Sequence, residues 1–574
     1  MATSHKYPGK SIAIKAVLIL GFVLLYIYFL FISRADMAGF ILGLVHKTHQ
    51  QEKFLSTYLT ETNYIVLKAG IGGLLLCIVG LILFFKKIYG LLKTALRLCA
   101  QETRLFRTGL AETYKKEQVT HKVLLIIVYL AGIFFYILQM VTHPVSGDEV
   151  CTLFNFSYNG PLVSASYYPA PNNHVLYSVL VSFLCMALGK KLIVARALNL
   201  LVSAFMFLIF YLFVRKRYNF TATVCSLTFL IFSYGAVIYG AQARGYQLTL
   251  LFFMLSFIYA LLIAENGKSA KRYLFFYATA NILGLYTMPS FLYSFVMVSV
   301  FLLLMCFAKK ISRQDLGRIV ITDIVIAALV ALLYMPIILF NGFDSLLSNM
   351  YLKKYTYAEL IALLPKHFSS TISWLFSFLP GALFIFAALL AGFLFIYLRR
   401  KKETKLYLLC TICFVMPPLL LFLHRVVPYE RTWNFMLVPI AFALPCLFSL
   451  LKFKAAPFIL PPLIAAALLF NYQKAYKEEF YRDYTANELF TQSNVLVKSI
   501  YGNNPIYSDL YAYYYYSRTG KNEVKSTSVF SPKKTTEMLI IDRQRPVPGE
   551  ADTLGYFLKA KSGNCYLYLK KQQP

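Results

Sequence analysis

Val175–Leu188, VLYSVLVSFLCMAL, is the stretch that decides how this chain is threaded. It is apolar enough to enter a bilayer, yet a helix of its fourteen residues reaches only about 21 Å against a hydrocarbon core of about 30 Å. If it crosses, every later basic cluster changes side relative to Lys86–Lys122. If it does not, the nine Lys and Arg of 86–122, Arg215–Arg217, Lys268–Arg272, Lys309–Arg318 and Arg399–Lys402 all share one face. Short cationic loops collect on the cytoplasmic side, so the segment reads as an interfacial or re-entrant helix.

Working outward from it, apolar runs at 12–32, 64–85, 123–141, 194–214, 221–240, 246–264, 273–287, 289–307, 319–340, 374–398, 406–423, 433–451 and 455–471 give thirteen expected spans. Of the 574 residues 59% are hydrophobic and 14% charged, where a soluble domain carries about 25% charged residues; an ordinary soluble enzyme is excluded. The net charge of +32 does not signal nucleic acid, because the cations sit in short clusters between spans and form no single soluble face. They set topology and attract anionic lipid. The first run is longer than a signal-peptide core and lacks a small-residue cleavage pattern, so it reads as a retained helix. The ten cysteines form no disulfide or zinc framework, and Cys410 and Cys413 fall inside an apolar run, where small packing residues are expected.

The expected fold class is an α-helical polytopic membrane protein with a small C-terminal α/β domain. Residues 1–122 form an extension with two spans and a basic segment, 86–122, whose leucines suit an interfacial helix as well as a solvated loop. Residues 123–471 form the membrane core. Residues 472–574, with fifteen Lys and Arg and ten Asp and Glu, form a water-facing domain outside. There 473–500 reads as a helix, 505–508 as a strand, 509–518 as a tyrosine-rich helix, and 537–542 and 565–570 as strands. The run Tyr513–Tyr516 suits packing against the domain or the membrane interface better than sugar stacking.

Chemistry is sought among the carboxylates. Nine lie between 123 and 471, and Asp148, Glu149, Asp344, Glu359 and Glu430 map outside. Asp148 and Glu149 are adjacent, follow Ser146-Gly147 directly after a span, and sit in a stretch, 142–174, without Lys or Arg. Arg196, Arg244, Arg425 and Arg431 also map outside, against the usual charge bias, so they are more informative than the inner cations. Several of them could converge on a phosphate.

The order GDEV (147–150), PNNHVLYSVL (171–180), ARALNLL (195–201), YGAQARGYQL (239–248) and YTMPSF (286–291) resembles the GT-C glycosyltransferases. The closest groups are the protein O-mannosyltransferase and aminoarabinose transferase families and their bacterial family 39 relatives; the likeness covers about 120–470. Asn173-His174-Val175-Leu176 stands where His-Pro-Pro-Leu is usual. The resemblance implies inverting transfer of a sugar from a polyprenyl-phosphate carrier to a hydroxyl of a protein, lipid or glycan, on the outer face of a bacterial inner membrane. Asp148 takes the role of base, with Glu149 orienting it or the acceptor. Asn173, His174, Arg196, Arg244, Tyr246 and Arg431 take carrier phosphate and sugar. Because the leaving group is already a phosphate, no general acid is needed, unlike glycoside hydrolysis. No metal site and no cofactor is firmly implied, although a divalent cation stays open; membrane lipids are expected partners and nucleic acid is not. The alternatives are a polyprenyl-linked glycan flippase, against which the scarcity of carboxylates within spans argues, and a non-catalytic membrane scaffold, which leaves the ordered outer motifs unexplained.

Overall fold

A computed structural model describes residues 8–570 apart from 45–50, 58, 170, 267–269, 309–311, 348–352, 400–403, 452, 528–535 and 546–555. Parts of the basic clusters at 268, 309–311 and 400–402, and Ala170 of the Tyr167–His174 stretch, therefore lie outside the described residues. The chain opens with α1 (Pro8–Phe31), α2 (Arg34–Leu44), α3 (Gln51–Thr57) and α4 (Glu61–Leu83). The axis turns by 115° between Val17–Phe31 and Arg34–Gly43, and Met37, Ala38, Ile41 and Leu67 close a small apolar cluster of their own. Next comes α5 (Phe85–Lys115), which settles the basic segment as one amphipathic helix of 31 residues. Only a narrow edge of it packs. The Phe106 ring meets Phe205 at 5.6 Å, Glu102 accepts from Tyr259 at 3.0 Å, and Glu117, just past its end, pairs with Arg215 at 2.5 Å.

The core follows as α6 (Val119–Thr142), the short α7 (Gly147–Cys151) and α8 (Pro161–Ser166), α9 (Val175–Leu188), α10 (Leu192–Arg215), α11 (Phe220–Phe232), α12 (Tyr234–Ala241) and α13 (Tyr246–Glu265). It continues through α14 (Ala270–Thr287), α15 (Leu292–Phe307), α16 (Arg313–Asn341), α17 (Asp344–Leu347), α18 (Tyr357–Leu375), α19 (Ala382–Arg399), α20 (Thr404–His424), α21 (Leu437–Phe448) and α22 (Ala456–Phe470). Leu, Phe, Ile and Val fill these helices all round, since inside a bilayer a helix has no wet face to keep polar. Helix starts are marked by Asn219, Ser312 and Thr356, whose side chains accept the first free backbone N–H groups. The protein is a polytopic helical bundle. Helices cover most of each of the thirteen expected spans, and among the described residues nine helices are individually long and apolar enough to cross a membrane, or eleven when each of two bent pairs counts as one.

Three boundaries differ from the expectation. The span expected at 374–398 begins only at Ala382, because Trp374 and Leu375 finish α18 and the chain then turns through Ser377 and Phe378 with φ of 58° and 55°. The span at 221–240 is two helices, α11 and α12, bent by 54° at Ser233. In the tail, the helix expected at 473–500 is α23 (Tyr472–Glu479) and α24 (Tyr481–Ser493), after which 499–502 is a strand. The strand expected at 505–508 is instead the first turn of α25 (Pro505–Thr519). Proline at the first helical position has the right φ and lacks an N–H that would be unpaired there anyway, and Asn504 caps it.

The C-terminal sheet is β1 (Ser499–Gly502), β2 (Lys525–Thr527), β3 (Met538–Asp542), β4 (Tyr556–Ser562) and β5 (Cys565–Lys570), in the spatial order β2-β1-β3-β5-β4. β1 runs parallel to both its neighbours, and β5 antiparallel to β3 and β4. The domain rests on the loop between α6 and α9. Val150 enters the domain's own core, Phe154 meets Tyr513 and Tyr516 at 5.8 and 5.5 Å, and Asp483 accepts the Gly147 N–H at 2.8 Å. The tyrosine run is thus a packing surface.

Asp483 is buried, and burial pushes its carboxyl up to about 7 against the opposing pull of the Gly147 N–H, with Asp148 and Glu149 raising it further. A carboxyl raised on folding binds its proton more tightly in the folded state, so its contribution is present below the unfolded value of about 3.9 and is lost as the pH climbs through about 7. The protein should therefore melt at a lower temperature at pH 8 than at pH 5.5 in detergent, and D483N should flatten that part of the slope. A variant with the parent's full pH dependence would remove Asp483 as the group responsible.

Candidate active site

The site is built at the end of the bundle that carries the C-terminal domain. Ser146 caps α7 and the Glu149 side chain reaches back to the Ser146 N–H, so the two adjacent acids leave the helix start in fixed and different directions. Glu149 points inward. It is fully buried and grips Arg196 of α10 in a two-pronged pair, Nε to Oε1 at 2.8 Å and Nη2 to Oε2 at 2.6 Å. The other guanidinium hydrogens go to the carbonyls of Met140, His143 and Pro144 at 2.7 to 3.1 Å. Glu149 also accepts the N–H groups of Ser146 at 3.0 Å and Ala243 at 2.6 Å. Every strong donor and acceptor of the pair has a partner, the condition under which a buried ion pair is tolerated.

Asp148 points the other way, with 41% of its side chain exposed. Arg244 Nη1 lies 2.9 Å from its Oδ2 and Arg431 Nη1 lies 3.7 Å from the same oxygen. Partial burial pushes the Asp148 carboxyl up, but the attraction of Arg244, then of Arg431, outweighs it and holds the carboxyl below the usual carboxylate range. Arg244 itself is 3% exposed, yet its Nε has no hydrogen-bond partner and its Nη1 has the ion pair without an aligned hydrogen bond. Buried guanidinium hydrogens left unmatched are costly, and an anion of suitable shape satisfies them.

Arg244 sits in the turn between α12 and α13, which is clamped from three elements. Asn199 of α10 donates to the carbonyls of Gln242 and Arg244, both at 2.6 Å. Glu149 takes the Ala243 N–H, and His174 Nδ1, at the start of α9, accepts the Gly245 N–H at 2.7 Å. Accepting at Nδ1 requires a neutral ring. Burial, with Arg244 and Arg431 adding to it, pushes the His174 pKa well down and so keeps it neutral. A β-carbon on Gly245 would stand 2.6 Å from His174 Cβ, so only glycine lets the turn close on the ring.

Arg431 lies at the mouth of a cavity of about 500 Å³ lined by Ser370, Trp374, Tyr429, Glu430, Glu478 and Glu479. Glu479 accepts from Tyr234 at 2.7 Å and from Trp374 Nε1 at 3.3 Å, and Ser370 donates to Glu430 at 2.7 Å. Aromatic faces beside carboxylate acceptors suit a polyhydroxylated ligand.

Of the residues expected from sequence, Asp148, Arg244 and Arg431 converge in one place, with Tyr246 and His174 directly behind them. The Arg244 guanidinium is 5.7 Å from the Tyr246 ring and His174 is 4.9 Å from it. Arg196 does not face this opening, because its guanidinium is turned entirely onto Glu149 and three carbonyls. Asn173 is buried and donates to the carbonyls of Ser164 and Tyr167 at 2.9 and 3.0 Å, holding the loop ahead of α9. Arg425 lies over Tyr357 at 5.2 Å, and Glu359 caps α18 and pairs with Lys353 at 3.1 Å. Three acids are added by the structure: Glu478, Glu479 and Asp483. Tyr472, Tyr476, Glu479 and Asp483 repeat at 4, 3 and 4 residues, the spacing of one helix face, which marks the start of the tail as a surface turned to the core. Among the described residues no cluster of three or more His, Cys, Asp or Glu is arranged to hold a metal ion.

No protein-family model and no curated protein matches the sequence. At the level of fold, the crystal structure of ArnT from Cupriavidus metallidurans in the apo state is similar, with a TM-score of 0.52 and 10% identity over 77% of this chain and 97% of that one. The structure of ArnT from Cupriavidus metallidurans bound to undecaprenyl phosphate gives 0.49 and 11% over the same shares. The apo comparison shows a GT-C-like fold here.

Breaking the buried pair on one side strands the other charge in a dry environment, at a cost of about 3–5 kcal/mol. R196A and E149Q should each lower the melting temperature in detergent by several degrees. R196K should recover little, since an ammonium cannot form the two-pronged contact. A parent-like melt for R196A would show that the pair does not hold the loop.

Proposed function

We propose that the chain is an inverting glycosyltransferase that moves a sugar from a polyprenyl-phosphate carrier to an acceptor hydroxyl. The observation that carries the reading is the carboxylate of Asp148, open on one side, between two arginines of which Arg244 is buried with unmatched donors. The GT-C-like fold supports it. Arg244 and Arg431 hold the phosphate of the donor, and the cavity beside Arg431, with Trp374 and Tyr429 as apolar faces and Glu430 and Glu479 as acceptors, takes a sugar ring.

In the reaction the acceptor oxygen attacks the anomeric carbon from the side opposite the phosphate. The bond from that carbon to the phosphate oxygen breaks, the hydroxyl proton passes to Asp148, and the carrier phosphate leaves with its new charge facing Arg244 and Arg431. One displacement inverts the centre. A base held low by two cations is a weak base, and the donor itself corrects this. Once its phosphate lies against Arg244 and Arg431, part of their field is directed at the phosphate, so the Asp148 pKa climbs and proton transfer becomes easier. Arg196, Glu149, Asn173 and His174 position this set without touching substrate, and the carrier's hydrocarbon is left to the bilayer.

Purified protein given a panel of polyprenyl-phosphate sugars and hydroxyl acceptors tests the reading; no transfer from any donor would overturn it. D148N should lose at least about 10²-fold in turnover, yet bind donor as tightly as the parent or more so, because a negative neighbour of the phosphate is gone. Weaker donor binding with turnover intact would reverse the assignment.

The pH profile separates free enzyme from complex. The acid limb of kcat/KM should lie below the ordinary carboxylate range, since Arg244 and Arg431 hold the Asp148 carboxyl low in the free protein, and the limb of kcat should lie at higher pH. R244A should weaken donor binding by about tenfold or more with lysine rescuing only in part.

A further inference from the structure

A second, roomier cavity lies away from Asp148. At the opposite end of the bundle, about 1100 Å³ open between α5 and the neighbouring halves of α6 and α10. Its walls are apolar, with Ile126 and Leu130 from α6 and Phe207 and Leu208 from α10. The α5 side differs: Ala100, Thr103, Arg104, Arg107, Thr108 and Ala111 follow helical spacing and line the space. Two arginines one turn apart therefore look onto a hydrocarbon-like valley.

These arginines are not occupied by the fold. Three other arginines of this end are paired, Arg215 with Glu117, Arg217 with Glu265 and Arg272 with Glu102, whereas Arg104 and Arg107 have no acidic partner among the described residues. Further back along the same helix Leu91, Leu92 and Leu96 are 56–65% exposed, so α5 presents exposed leucines beside its cations, as a helix lying in the membrane interface does. A groove with hydrocarbon below and guanidinium groups at its rim is complementary in charge and shape to an amphiphile with an anionic head.

We infer that this groove is a binding site for one anionic phospholipid, its phosphate on Arg104 and Arg107 and an acyl chain in the valley between α6 and α10. The choice of a phospholipid over the carrier rests on position, since the groove and Asp148 lie at opposite ends of the bundle. The bound lipid joins α5 to the core across a face where side chains alone leave a gap. The inference is independent of the proposed transferase reaction.

The test is native mass spectrometry of the delipidated full chain titrated with phosphatidylglycerol, phosphatidylcholine or a polyprenyl phosphate. One phosphatidylglycerol should bind about tenfold or more tighter than phosphatidylcholine. R104Q/R107Q, both at exposed positions, should bring it down to the phosphatidylcholine level with the melting temperature of the lipid-free protein unchanged. L208W, which fills the valley, should remove the tight site while leaving both arginines in place. Equal binding of the two phospholipids, or a double-glutamine variant that keeps phosphatidylglycerol like the parent, would overturn the inference. Preference for the polyprenyl phosphate at this site would overturn it too, by giving the groove to the carrier.

Discussion

The buried pair between Glu149 and Arg196 is the interaction on which the site depends. It joins the loop after α6, the start of α10 and the turn between α12 and α13, because Glu149 also holds the Ala243 N–H and Arg196 holds three carbonyls around His143. A charged pair at such depth gains little net free energy over a well-packed apolar pair. Its value is directional: it admits one arrangement of the loop, and that arrangement turns Asp148 outward. His143 shows the same economy. It is kept neutral, at about 3, by burial and by Arg196, so it can share a hydrogen bond with Tyr472 at 2.9 Å and pack on Tyr476 at 3.6 Å without a second charge inside.

Adjacent acids thus have opposite duties. Glu149 is saturated with donors and structural; Asp148 has cations on one side and open space on the other. The difference follows from the capping box at the start of α7, where the third helical position must turn back to the cap and the second is free to project. The same logic separates the arginines. Arg196 is complete, Arg244 is buried but incomplete, and Arg431 is partly open at the edge of a cavity.

The C-terminal domain belongs to this arrangement. It contributes Asp483 to the backbone of Gly147 and two aromatic contacts to Phe154, so the loop bearing Asp148 is held between the helical bundle and the C-terminal domain. A loop clamped on both sides is rigid, which fixes the direction in which Asp148 projects.

The sequence by itself determined the bundle, since long apolar runs separated by basic clusters have few other ways to satisfy their backbone groups. It also singled out the pair Asp148 and Glu149 and the outer arginines Arg196, Arg244, Arg425 and Arg431, because ions outside the basic clusters and next to span ends are costly unless used. Val175–Leu188 was legible as a short helix from its length together with the side on which the basic clusters fall. Which acid faces the opening was not legible, because Asp148 and Glu149 are chemically alike and only the cap geometry separates them. Nor was the position of Arg196, whose turn onto Glu149 depends on two helices distant in sequence meeting at that depth. The tail acids Glu479 and Asp483 and the strands β1, β2 and β4 became visible only in three dimensions. Short strands are specified by the partners beside them, and an acid's role by the groups brought against it.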